Sequence, residues 1–199
     1  MLEADFTKPV PSTAELTQFW KEVNFPLSAR VYPSVQRYVE SLRERYSNGR
    51  VLFASFQCPN HPVFDWYLSR NDPQSLLFFH RFWHTPTPHS ILAELKVPKE
   101  YENDPQFQWG NSFTFAGELA STLYQGGAYY RSVGSGAEEM RLAERAAQEL
   151  IQDRFSEILV FVNHATWTEF FFDVAWDGTW VLFDKRERVV HVLSATDTD

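Results

Sequence analysis

Residues 158–194 read ILVFVN, HAT, WTEFFFDVAW, DG, TWVLFD, KRER and VVHVLS. These are four runs of β-branched and aromatic residues separated by short polar breaks, a pattern that favours strands over helices. Asp177-Gly178 is a strong two-residue hairpin signal. The segment therefore predicts an antiparallel meander, with 170–176 and 179–184 paired across that turn. Within 170–176, Phe170, Phe172, Val174 and Trp176 fall on one face, while Glu169, Phe171, Asp173 and Ala175 make a mixed one. One face of the sheet is expected to be buried and the other half wet.

The preceding chain reads mainly as helices that cover this sheet. Ser12 and Glu15 have the spacing of a capping box, with Leu16, Phe19, Trp20 and Val23 recurring at helical intervals behind them. Pro33 suits the first turn of a second helix striped by Val35, Tyr38, Val39, Leu42 and Tyr46, closed by Asn48-Gly49. An apolar run at 51–56 is a buried strand, and 64–68 a second short one. Asn71-Asp72-Pro73 reads as a helix start leading towards Trp83, and 93–112 as irregular structure long enough for a binding loop. Phe115, Leu119, Leu123 and Tyr124 mark a further helix, stopped by Gly126-Gly127. Residues 137–155 form the strongest helical pattern, with Met140, Ala143, Ala147, Leu150 and Ile151 on one face. Residues 1–11, with Pro9 and Pro11, are an extended arm. The expectation is a single α+β domain over 1–199, with a C-terminal antiparallel β-meander and helices packed mainly on one face.

Charge narrows the partners. With 26 acidic and 18 basic residues the formal charge is −8, which opposes the phosphate contacts that dominate nucleic-acid binding and favours a basic protein. One cysteine excludes an internal disulfide framework. The N-terminal stretch MLEADFTKPVPS lacks a signal-peptide pattern and no long apolar run is present. The expectation is a cytoplasmic protein that does not bind membranes.

Two sets of residues could bind. On the wetter meander face Glu169, Asp173 and Asp177, with Trp167 beside them, would form an acidic surface for a basic partner, and Asp184 adds a further carboxylate. Alternatively, Cys58, His61, His80, His84 and His89 could contribute polar groups to the ring-lined pocket of a small-molecule-binding protein or enzyme. His80 and His84 share a helix face at i, i+4, yet Arg81 occupies the position where a hydrolytic zinc helix carries Glu, and no third ligand has a supporting spacing. Cys58 and His61 form only a CxxH pair, without a nameable oxyanion donor. Gly126-Gly127 and Gly134-Ser135-Gly136 lack the pattern of a phosphate loop. No catalytic set, cofactor or metal is expected, and the leading reading is a non-enzymatic binding protein, one concrete version of which is a neutraliser of a basic protein.

Overall fold

The computed structural model describes residues 5–71, 73–101, 105–130 and 132–199. Helix α1, Thr13–Glu22, begins at the expected capping box: Ser12 Oγ accepts from the Glu15 amide, and the Glu15 carboxylate accepts from the Ser12 amide. Helix α2, Pro33–Arg45, carries Pro at its first position and buries Val35, Tyr38, Val39 and Leu42. Strand β1 is Arg50–Gln57. Three short helices follow: α3, Pro62–Ser69; α4, Phe78–Phe82; and α5, Pro86–Ile91. The two-residue strand β2, Gln108–Trp109, precedes α6, Phe115–Gln125, and α7, Ala137–Ile151. Strands β3, Ile158–Asn163, β4, Gly178–Asp184, and β5, Val189–Thr196, close the chain.

The sheet is antiparallel, in the order β1-β5-β4-β3-β2. The α+β class and the C-terminal meander are as the sequence predicts. Its second face is not half wet, however, because β3, β4 and β5 are buried along their whole length. Ile158, Val160, Val162, Trp180, Leu182, Leu193 and Ala195 pack against α2, α6 and α7, the three longest helices. Leu159, Phe161, Val181, Phe183, Val190 and Val192 meet a ring-rich layer from α1, α3 and α4, joined by Phe107, Trp167, Phe170 and Phe171. Helices thus cover both faces, the long ones on one side and the short ones on the other.

The predicted strand at 170–176 is a loop, part of a connection over 164–177. Asp177 explains it. Its carboxylate accepts from the amides of Phe172 and Val174, so these amides bond to a side chain and not to a neighbouring strand. Asp173, at φ 62, breaks the extended path between them. Gly178 is therefore the first residue of β4 and not a turn residue. The β4–β5 reversal falls at 185–188, where Asp184 Oδ1 accepts from the amides of Arg186 and Glu187 and Arg188 adopts φ 55.

The strand expected at 64–68 is helix α3. Pro62 opens it, and His61 Nδ1 caps it by accepting from the Val63 amide at 3.1 Å. Helix α7 stops at Ile151, short of 155, because Gln152 and Asp153 take left-handed conformations. The N-terminal arm is docked from Asp5 onward, where the Asp5 amide donates to the Ser69 carbonyl and Arg70 donates to the carbonyls of Phe6 and Lys8. Residues 1–4 of that arm, and Asp72 of the expected helix start, lie outside the described residues.

Candidate functional site

The acidic surface expected on the meander does not form. Asp177 is 2% exposed, and its Oδ1 accepts from Thr196 Oγ1 at 2.6 Å. Trp167 is buried and donates from Nε1 to Thr179 Oγ1 at 3.1 Å. Asp184 is buried in a two-pronged pair with Arg154, at 2.7 and 2.5 Å. Glu169 and Asp173 remain exposed, on the 164–177 loop and not on a strand, and Glu169 lies 3.5 Å from Lys96. Two separated loop carboxylates replace the expected continuous face.

Of the histidine and cysteine candidates, His80, His84 and His89 come together around Tyr101, whereas Cys58 and His61 serve other local roles. Cys58 is buried, and burial pushes its thiol well above the usual range despite the nearby Arg188, which leaves it a small apolar residue. His61 caps α3 and stands 4.8 Å from the Phe19 ring. His84 and His89 have ring centres 6.2 Å apart, and His80 stacks on Tyr101 at 4.9 Å. Partial burial, with His89 and His80 alongside, lowers the pKa of His84. Among the described residues no group of three or more His, Cys, Asp or Glu could hold a metal ion. No helix there is long and apolar enough to cross a membrane.

A different surface stands out. An open groove of about 810 Å³ runs along α7 beside its packed neighbour α6, lined by Phe113, Ala116, Met140, Ala147, Ile151 and Phe155, together with the exposed Glu144 and Arg145. Local chemistry sets its end wall. Asn111 Oδ1 accepts from the Phe113 amide at 2.9 Å, forming an Asx turn ahead of α6, and Ser112 Oγ donates to the Phe155 carbonyl at 2.7 Å. The left-handed Gln152 and Asp153 swing the chain from α7 towards Phe155. The rings of Phe113 and Phe155 then stack at 4.6 Å and 10°. Phe113 nevertheless stays 72% exposed and Met140 38%. Phe113, just ahead of α6, carries no signal in the sequence that sets it apart from the core aromatics.

A second cleft, of about 510 Å³, lies beside the edge strand β2. Phe79, His80, Phe107 and Trp109 line it together with Gln106 and Gln108. Trp109 is 55% exposed, and Phe79 and Phe107 stack at 4.3 Å behind it. Of the predicted pocket histidines, only His80 reaches this cleft.

No protein-family model matches the sequence, and no curated protein matches it.

Proposed function

We propose that this is a non-enzymatic binding protein of the cytoplasm that engages a basic protein partner through the α6–α7 groove. The observation that supports it most is Phe113, a large ring left open to solvent over an apolar groove and held there by its neighbours. Exposed apolar patches with polar rims mark interaction surfaces, and aromatic rings that a partner can bury are a typical source of binding energy. Met140 adds a side chain that adapts its shape to what it meets. The formal charge of −8 supports a basic partner, drawn in by long-range attraction. Covering another protein's basic surface in this way would neutralise it.

One variant tests this reading. Wild-type protein and Phe113→Ser are used to capture partners from the native host, and the captured protein is then purified and its association measured. A basic protein is expected with the wild type and lost with Phe113→Ser, and its association rate should fall as ionic strength rises to physiological values. A partner retained by Phe113→Ser, or an association rate indifferent to salt, would overturn the proposal.

The second reading is a small-molecule pocket, and the cleft at His80, Phe107 and Trp109 favours it. Binding there would be insensitive to Phe113 and to salt. It should instead disappear in Trp109→Ala, with a change in tryptophan fluorescence as the direct readout.

A further inference from the structure

A small polar cavity of about 200 Å³ lies where β5, the 185–188 turn, the end of α7 and the chain before α2 meet. His191 of β5 lines it and is 2% exposed. Its Nδ1 shares a hydrogen bond of 2.8 Å with Ser55 Oγ, and Ser55 is its register partner on β1. The Tyr32 ring stands edge-on to the imidazole at 5.1 Å. These contacts fix the ring, while Nε2 has no hydrogen-bond partner among the described residues. The residue lines the cavity, so this ring nitrogen is available to accept a hydrogen bond from a group held there.

The charges around the cavity are unevenly committed. Asp184 is held by Arg154 and by two turn amides. Glu149 uses Oε2 to accept from the amides of Ser34 and Val35, which leaves Oε1 open. The exposed carboxylate of Glu187 makes no hydrogen bond among the described residues. Arg30, at the rim, has its guanidinium carbon 5.4 Å from the Tyr32 ring centre. Asp184 and Arg154 cancel, so Glu149 and Glu187 outweigh Arg30.

We propose that this cavity binds the head group of a small organic cation, an alkylguanidinium or alkylammonium, through His191 Nε2 and the carboxylates of Glu149 and Glu187. Ser55 then accepts from Nδ1–H, so that the lone pair of the imidazole faces the cavity. Burial lowers the imidazole pKa to about 4, so the ring is neutral at pH 7 and does not repel a cation. At roughly 30 Å³ per water the cavity has the space of about seven waters, enough for a head group of about five heavy atoms. The head group could belong to a free small molecule or to an Arg or Lys side chain of a peptide.

Methylguanidinium chloride titrated into isotope-labelled protein should give saturable shifts of the His191 imidazole resonances, with an affinity on the order of millimolar. Sodium acetate at the same ionic strength should not. Glu187→Gln, at an exposed position, should weaken binding roughly twofold to fivefold, and His191→Gln should remove it. Acetyl-Gly-Arg-Gly-amide distinguishes the sources: tighter binding than methylguanidinium points to a peptide side chain, and weaker binding to a free small cation. Absence of saturation in the millimolar range, an equal response to acetate, or binding undiminished in Glu187→Gln would overturn the proposal. The last of these decides the matter even if His191→Gln fails to fold.

Discussion

Thr196 Oγ1 donates to Asp177 Oδ1 at 2.6 Å, which fastens the loop ahead of β4 to the last residue of β5. The other oxygen of Asp177 accepts from the amides of Phe172 at 3.2 Å and Val174 at 3.1 Å. One buried carboxylate thus satisfies three donors and sets the path of the loop. Asp177→Ala strands all three and is expected to cost about 3 kcal/mol or more. Asp177→Asn can keep only one acceptor oxygen and should fall between Asp177→Ala and the wild type. Denaturant unfolding at pH 7 measures both, and a loss under about 1 kcal/mol for Asp177→Ala would mean that the carboxylate does not organise the loop.

A second carboxylate near the C-terminus constrains a glycine. Asp197 is fully buried, with Oδ1 accepting from the Asn48 amide and Oδ2 from the Ala128 amide. A Cβ on Gly127 would stand 1.9 Å from Asp197 Oδ2 and 2.7 Å from the Arg45 carbonyl oxygen. Asp197 Oδ2 cannot retreat without losing its bond to the Ala128 amide, and the Arg45 carbonyl is backbone at the end of α2. Gly127→Ala should therefore cost about 2 kcal/mol or more through overpacking. Gly117, inside α6 with open space around it, gives the opposite sign: Gly117→Ala should stabilise by about 0.5–1 kcal/mol. Thermal melts of the two variants make the comparison directly, and equal shifts would refute the steric account.

Local signals carried much of the fold. The capping box at Ser12 and Glu15, Pro33 at the head of α2, and the stripe of Ala143, Ala147 and Leu150 all act within a few residues, so the sequence displays them. Asp177-Gly178 misled because a hairpin dipeptide is judged by its neighbours in sequence, whereas Asp177 is held by Thr196, which comes from another strand. The same holds for α3, where the aromatic and apolar residues of 64–68 suit a strand and the Pro62 and His61 cap decides for helix. Carboxylate positions were legible, but their burial was not. Alternation on an assumed strand put Asp177 in water, while its actual bonds are to amides. Phe113 could be found only once the chain ahead of α6 and the chain beyond α7 were in place, because its ring stands where it stacks on Phe155, more than forty residues away.

Exposure also makes Phe113 a clean test of the interaction surface. At 72% exposed, the ring contributes little to folding beyond its stack on Phe155, and substitutions at such positions ordinarily change stability by less than about 0.5 kcal/mol. Phe113→Asp should melt close to the wild type and fail to hold the partner. Met140→Ala, on the facing helix, should weaken binding by a smaller factor. An alanine or aspartate change that leaves partner dissociation unchanged would place the contact surface elsewhere on the molecule.

The buried imidazole of His191 makes stability depend on pH in a defined window. Desolvation lowers its pKa from 6.5 to about 4, with Asp184 opposing the shift and Arg30 and Arg154 assisting it. Between these values the unfolded chain binds more protons than the native state, so stability rises with pH through that window and levels off above 6.5. Relative to pH 7, this residue alone should remove about 1.2 kcal/mol by pH 5.5 and about 2.4 kcal/mol by pH 4.5. His84, whose pKa is also lowered but which is only partly buried, changes in the same direction. His191→Gln can retain a hydrogen bond to Ser55 without a titrating proton, so the difference between its stability profile and that of the wild type isolates the His191 contribution. The stability of the wild type relative to His191→Gln should rise steadily from pH 4.5 to 6.5 and level off above it. Parallel profiles for the two proteins across this range would show that His191 does not remain neutral in the folded state.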